Sequence, residues 1–128
     1  MTPMLDHLTI LSRSPDAAAA FYGFLLPRLG FTQKKPHIWA NAAGLHIQFG
    51  KAKEGTGEYG RYAPGLNHFG FAAPSPETVQ ALAAELAEAG IEARLQTFAP
   101  GITALFIPDP DGLRIEYTYY PPGVPPVD

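Results

Sequence analysis

The sequence predicts an α+β fold built from two tandem βαβββ modules. Three observations predict it. Leu5-Asp6-His7 and Ser14-Pro15-Asp16 reappear 61 residues later as Leu66-Asn67-His68 and Ser75-Pro76-Glu77. Gly44-Leu45-His46-Ile47-Gln48-Phe49 reappears 68 residues later as Gly112-Leu113-Arg114-Ile115-Glu116-Tyr117, so seven extra residues fall in the middle strands or loops of the second half. Strand-like alternation and capped helical periods also follow one another in the same order in both halves.

Leu5 to Leu11 alternates and reads as a strand. Ser14-Pro15-Asp16 supplies an N-cap, a proline for the first helical position and a first-turn acid. Ala17 to Leu26 is then a helix with Phe21, Phe24 and Leu25 on its apolar face, closed by Pro27 and Gly30. Phe31 to Lys35 is a short strand. Ile38 to Asn41 and Leu45 to Phe49 form a hairpin turning at Asn41 to Gly44. In the second half, Leu66 to Ala72 is a strand. Val79, Leu82, Ala83 and Leu86 mark a helix ended by Gly90. Glu92 to Thr97 is a strand, and Thr103 to Ile107 pairs with Leu113 to Tyr119 around Asp109-Pro110-Asp111-Gly112. One domain over 1–128 thus holds module 1 at 4–50, a linker at 51–64, module 2 at 65–120 and a proline-rich tail at 121–128. The tail is expected to be extended and poorly packed.

Composition excludes several functions. A formal charge of −3 with scattered basic residues argues against nucleic-acid or anionic-membrane partners. The absence of cysteine excludes disulfides, thiolate metal sites and cysteine nucleophiles, and fits a cytoplasmic protein. No stretch reads as a signal peptide or approaches the ~20 apolar residues of a membrane span. Gly55-Thr56-Gly57-Glu58-Tyr59-Gly60 matches G-x-G-x-x-G, but it lacks the strand-to-helix setting in which that pattern binds a dinucleotide. A homodimer is the default assembly.

The alternation of the strands separates two faces. Leu8, Ile10, Leu45, Ile47, Phe69, Phe71, Leu113 and Ile115 share one parity and should meet the helices, on the convex side of a curved mixed sheet. The opposite parity faces a concave cleft. It carries His7, Thr9, His46, Gln48, His68, Gly70, Arg114, Glu116 and Thr118. The repeat pairs His7 with His68 and Gln48 with Glu116. Two imidazoles, a carboxylate and a carboxamide make a plausible donor set for one divalent ion, Zn, Ni, Mn or Fe. Gln48 is the weaker member, because amides are poor ligands. Thr9, His46, Arg114 and Thr118 are left as substrate contacts. A strand histidine alone is more often a hydrogen-bonded half-buried side chain, and Glu116 alone could be an acid paired with Arg114. The case rests on several ligand types at repeat-equivalent positions of one face.

The doubled pattern resembles the vicinal oxygen chelate superfamily, which includes glyoxalase I, fosfomycin-resistance proteins, bleomycin-resistance proteins and extradiol dioxygenases. The residues that carry the resemblance are Leu-Asp-His-Leu-Thr-Ile at 5–10, Gly-Leu-Asn-His-Phe-Gly-Phe at 65–71 and Asp-Pro-Asp-Gly-Leu-Arg-Ile-Glu-Tyr at 109–117. The resemblance implies metal ligands at His7, His68 and Glu116, with Gln48 at the fourth position. It implies a metal that binds two adjacent substrate oxygens, and, in a glyoxalase-like reaction, Glu116 or a metal-bound water as the catalytic proton shuttle. The implied activity is that of a glyoxalase-like lyase, isomerase or thiol transferase acting on a small oxygenated substrate. The alternatives are an Fe(II) extradiol-type dioxygenase and a bleomycin-resistance-like binding protein.

Overall fold

Both helices begin at the serines that the sequence marks. In the computed structural model, which describes residues 1–126, Ser14 and Ser75 lie in extended backbone. Their hydroxyls accept from the backbone N–H of Ala17 and Thr78. Each cap satisfies one orphan donor of a helix start, and the proline that follows has no N–H to leave unpaired. Helix α1 then runs Pro15–Arg28 and α2 runs Pro76–Glu88.

The two helices also end alike. Gly30 and Gly90 adopt positive φ, 88° and 74°. Beyond them the N–H of Phe31 reaches the Leu26 carbonyl, and that of Ile91 reaches the Leu86 carbonyl, both at 2.9 Å. This termination needs a left-handed residue, which glycine adopts without a Cβ clash. Pro27 does not close α1 as expected but lies inside its last turn. A proline there forfeits one intrahelical bond. The N–H of Leu29, bonded to the carbonyls of Leu25 and Leu26, holds the turn until Gly30 ends it.

The chain separates into two compact units, Met1–Glu58 and Tyr59–Asp128, with the boundary inside the stretch expected as a linker. In the first unit, strands β1 (His7–Ser12), β2 (Thr32–Lys35), β3 (Ile38–Ala40) and β4 (His46–Lys51) form one sheet in the order β1-β4-β3-β2. In the second, β5 (His68–Ala72), β6 (Arg94–Phe98), β7 (Ile102–Pro108) and β8 (Arg114–Tyr119) form another in the order β5-β8-β7-β6. The first strand of each unit runs parallel to the last, and the other pairs are antiparallel. The tandem βαβββ arrangement is thus built as two four-stranded mixed sheets, each with one helix.

One turn is used twice to launch the last strand of each unit. Asn41 and Asp109 accept from Leu45 N–H and Leu113 N–H through their side-chain oxygens, each at 2.9 Å. Their main-chain carbonyls accept from Gly44 and Gly112, whose φ values are 92° and 96°. Asp109 is buried, so its bonds to the N–H groups of Asp111 and Leu113 also offset the desolvation of its carboxylate.

Each helix packs on its own sheet. α1 lies against β4, burying Ala18, Phe21, Tyr22, Leu25 and Leu26 beside Ile47. Phe24, expected on that face, is only half-buried, and Arg28 stacks over its ring at 3.7 Å. α2 covers β7 and β8, where Val79, Leu86, Leu105, Ile107 and Ile115 are all at most 1% exposed. Full burial of such a side chain contributes about 1.5–3 kcal/mol. Phe69 and Phe71, of the parity assigned to the helix side, are half-buried and meet each other edge to face at 5.9 Å.

The G-x-G-x-x-G stretch adopts turns and leads into no helix. The carbonyls of Thr56 and Gly57 accept from Arg13. In the tail, a turn closes from Val124 N–H to the Pro121 carbonyl around Gly123. The last two residues of that expected tail, Val127 and Asp128, lie outside the described residues. Among the described residues no helix is long and apolar enough to cross a membrane.

Candidate metal and substrate site

In the second unit the register of β5 and β8 sets the site. His68 lies beside Arg114, Gly70 beside Glu116 and Ala72 beside Thr118. Strand alternation keeps His68, Gly70, Arg114, Glu116 and Thr118 on one face, as the sequence requires. Glycine at 70 makes the close approach possible. A Cβ there would lie 3.2 Å from Glu116 Cβ and 3.4 Å from its carbonyl oxygen.

His68 is oriented by its neighbour in sequence. Its Nδ1 donates to Asn67 Oδ1 at 2.6 Å, while Asn67 Nδ2 donates to the Arg61 carbonyl at 2.8 Å. The second bond fixes which end of the amide faces the ring, because a flipped amide would turn its oxygen toward a carbonyl. A neutral imidazole with its proton on Nδ1 presents a lone pair at Nε2. That atom lies 3.3 Å from Glu116 Oε2. Two lone pairs at this distance repel unless a cation or a second ring proton joins them.

Glu116 has a competing partner. Arg114 Nε and an Nη atom both donate to Glu116 Oε2, at 2.9 and 2.5 Å. The pair is largely shielded, with side chains 18% and 15% exposed. The Arg114 guanidinium also stacks over the Phe106 ring at 4.3 Å. These residues line a cavity of about 550 Å³ together with Arg61, Asn67, His68, Thr118 and Tyr120. Phe98, Ile102, Ala104 and Phe106 form its apolar wall.

The first unit repeats the device. His7 Nδ1 donates to Asp6 Oδ2 at 2.8 Å, an Asx carboxylate where the second unit has an Asx amide. His7 lies beside His46 and Thr9 beside Gln48, so all four share one sheet face. His46 turns its Nδ1 to the Gly44 carbonyl at 2.9 Å. His7 is 55% exposed, against 25% for His68. Among the described residues no group of three or more His, Cys, Asp or Glu side chains is placed to hold a metal ion. The second unit brings His68 within 3.3 Å of Glu116, and the first sets His7 and Gln48 on one sheet face without a contact between them in the register.

Sequence reasoning missed Asn67 and Asp6 as orienting residues, although the repeated Asx-His dipeptide was the signal for them. It also missed the wall. Ile102 to Ile107 is apolar but for Thr103, so its pattern could not show that Ile102, Ala104 and Phe106 face the cavity while Leu105 and Ile107 face α2.

Residues 4–117 match the family described as Glyoxalase/Bleomycin resistance protein/Dioxygenase superfamily, and the chain belongs to that family. No curated protein matches it in sequence. Among solved structures it is similar to a provisionally named glyoxalase from Bacillus halodurans, at 27% identity and TM-score 0.79 over 91% of this chain and 96% of that one. It shares the fold of a lactoylglutathione lyase from Agrobacterium tumefaciens, at 19% identity and TM-score 0.67 over 93% and 95% of the two chains. The same holds for the oxidase ChaP-H2, at 18% identity and TM-score 0.61 over 97% and 98%.

Proposed function

We propose that this chain is a divalent-metal-dependent enzyme of glyoxalase type, a lyase, isomerase or thiol transferase acting on a small oxygenated substrate. The observation that carries the reading is the held histidine. Asn67 fixes His68 with its Nε2 lone pair toward Glu116, and Asp6 holds His7 in the same way. Carboxylate or amide oxygens behind a histidine are the usual outer support of a metal-ligating imidazole. In this proposal His7, His68 and Glu116, with Gln48 as the weaker fourth, would hold one divalent ion, because imidazole nitrogens and a carboxylate are the donor types such an ion takes.

When bound, the ion supplies Lewis-acid polarisation of two adjacent substrate oxygens. The chain's own residues do the rest. Asp6 and Asn67 hold the imidazoles, and Glu116 takes and returns a proton at a carboxylate oxygen. Thr9, His46, Arg114 and Thr118 contact the substrate, and the apolar wall at Phe98 to Phe106 keeps water from it. Arg114 donates to Glu116 Oε2 alone, which would leave Oε1 for an ion. The working form in this proposal is a cytoplasmic homodimer without nucleic-acid or membrane partners.

The second reading is a metal-free binding protein that sequesters a small molecule. The Arg114–Glu116 ion pair favours it, because that pair satisfies the carboxylate without a metal. Titration with Ni, Zn, Mn or Fe(II) separates the two. The first reading expects stoichiometric metal, a raised melting temperature and loss of both in His68→Ala. A protein that takes up no metal and gains no stability from any of the four ions leaves the binding protein. Oxygen uptake with catechols would instead identify a dioxygenase.

A further inference from the structure

The cavity of the second unit contains a cation that the proposed chemistry does not use. Arg61 lines it, and Arg61 Nε is buried without a hydrogen-bond partner. Among the described residues no carboxylate pairs with this guanidinium, which lies 5.3 Å from the centre of the Tyr62 ring. Its place is fixed. Asn67 Nδ2 holds the Arg61 carbonyl, and Tyr59, two residues earlier, donates its hydroxyl to the carbonyls of Leu66 and Asn67. The side chain that orients His68 therefore also anchors the Arg61 backbone.

The charges of the lining residues do not cancel. Arg114 and Glu116 neutralise each other, and Arg61 leaves one net positive charge. The Nε–H is shut off from the cavity as it is from water, so a ligand reaches this guanidinium at its Nη edge, whose N–H groups donate to a carboxylate. One wall of the chamber is apolar. Phe98, 41% exposed, meets Phe106 edge to face at 6.4 Å beside Ile102 and Ala104. A volume near 550 Å³ suits a small organic ligand.

We propose that this cavity binds a small monocarboxylate with an apolar or aromatic body, and that Arg61 is the residue that holds its carboxylate. The proposal rests on reading the cavity as the substrate chamber, and it does not require the metal. One uncompensated cation matches one negative charge, and the aromatic wall matches a flat apolar body.

The test uses the full chain, freed of metal with EDTA, and phenylacetate as the probe against its neutral isostere phenylacetamide. Calorimetry should show phenylacetate binding about tenfold tighter or more than the amide, the scale of a charge-assisted pair. Arg61→Gln should remove that preference and leave the amide's affinity unchanged. Equal affinity for acid and amide, no binding of the acid at millimolar concentration, or an undiminished preference in Arg61→Gln would each overturn the proposal. Should Arg61→Gln not fold, the Arg61 Nε–H resonance of the wild-type protein decides. Its displacement by phenylacetate but not by phenylacetamide supports the proposal, and an unmoved resonance refutes it. Failure of the metal titration leaves this outcome standing. Loss of the carboxylate preference leaves the His68→Ala metal result standing.

Discussion

Replacing Asn67 by alanine removes two hydrogen bonds at once, one to His68 Nδ1 and one to the Arg61 carbonyl. Each is partly buried, and a bond of this kind contributes a net 0.5–1.5 kcal/mol or so. The expected loss is about 2 kcal/mol. At roughly 4 °C per kcal/mol for a chain of this size, the melting temperature should fall by about 8 °C. The larger effect is chemical. Without Asn67 Oδ1 the Nδ1–H form loses its acceptor, and with Glu116 Oε2 3.3 Å from Nε2 the imidazole should populate both tautomers. Loss of such a supporting partner typically costs about 10–100-fold in metal affinity. Asn67→Asp separates the two roles. It keeps an oxygen at Nδ1, as Asp6 does for His7, but loses the donor to Arg61. It should therefore keep the tautomer and most of the metal affinity, with a stability loss of about 1 kcal/mol. Long-range 1H–15N spectra of the histidine rings report the tautomer, and Ni titration reports the affinity. If Asn67→Ala keeps His68 in the Nδ1–H form and melts at the wild-type temperature, the orienting role is wrong.

Two further outcomes follow from the same strands. Gly70→Ala sets a Cβ 3.2 Å from Glu116 Cβ, so β5 and β8 must move apart by a few tenths of an ångström. Overpacking of this kind costs about 1–3 kcal/mol, and urea unfolding should register it; a variant as stable as wild type would show slack at this crossing. Burial holds the Tyr117 phenol above its ordinary value of 10.0. The neutral form is favoured in the fold, so this group's contribution is intact below the unfolded value and is lost as pH rises through the raised one. Tyr117→Phe should be nearly neutral at pH 7 and flatten the alkaline fall of melting temperature, and an unchanged alkaline limb would assign that fall to other groups.

Much of the fold was legible because its signals are local. A serine three residues before a free N–H, a proline at the first helical position and a glycine past the last turn act within one helical turn. Each sits where the sequence placed it. The repeat carried the topology, since the equivalence of β1 with β5 and of β4 with β8 follows from the Leu-Asx-His and Gly-Leu-x-Ile landmarks. What misled were residues whose fate depends on neighbours from elsewhere. Pro27 is tolerated inside α1 because bonds beyond it complete the turn. Phe24 is capped by Arg28 instead of by the sheet.

By itself the sequence determined the order of elements, the family resemblance and the face on which His7, Gln48, His68 and Glu116 stand. Strand alternation decides faces and needs no partner. Only the tertiary structure decided what those residues touch. Arg114 and Glu116 could have lain apart on one strand face, yet packing on Phe106 and shielding in the cavity join them in a pair. Arg61 stands seven residues before His68 in a stretch without periodicity, and the Asn67 amide ties it to the same chamber. Contacts of that kind depend on where separate segments meet and on which polar atoms burial leaves unpaired, quantities that a one-dimensional pattern does not contain.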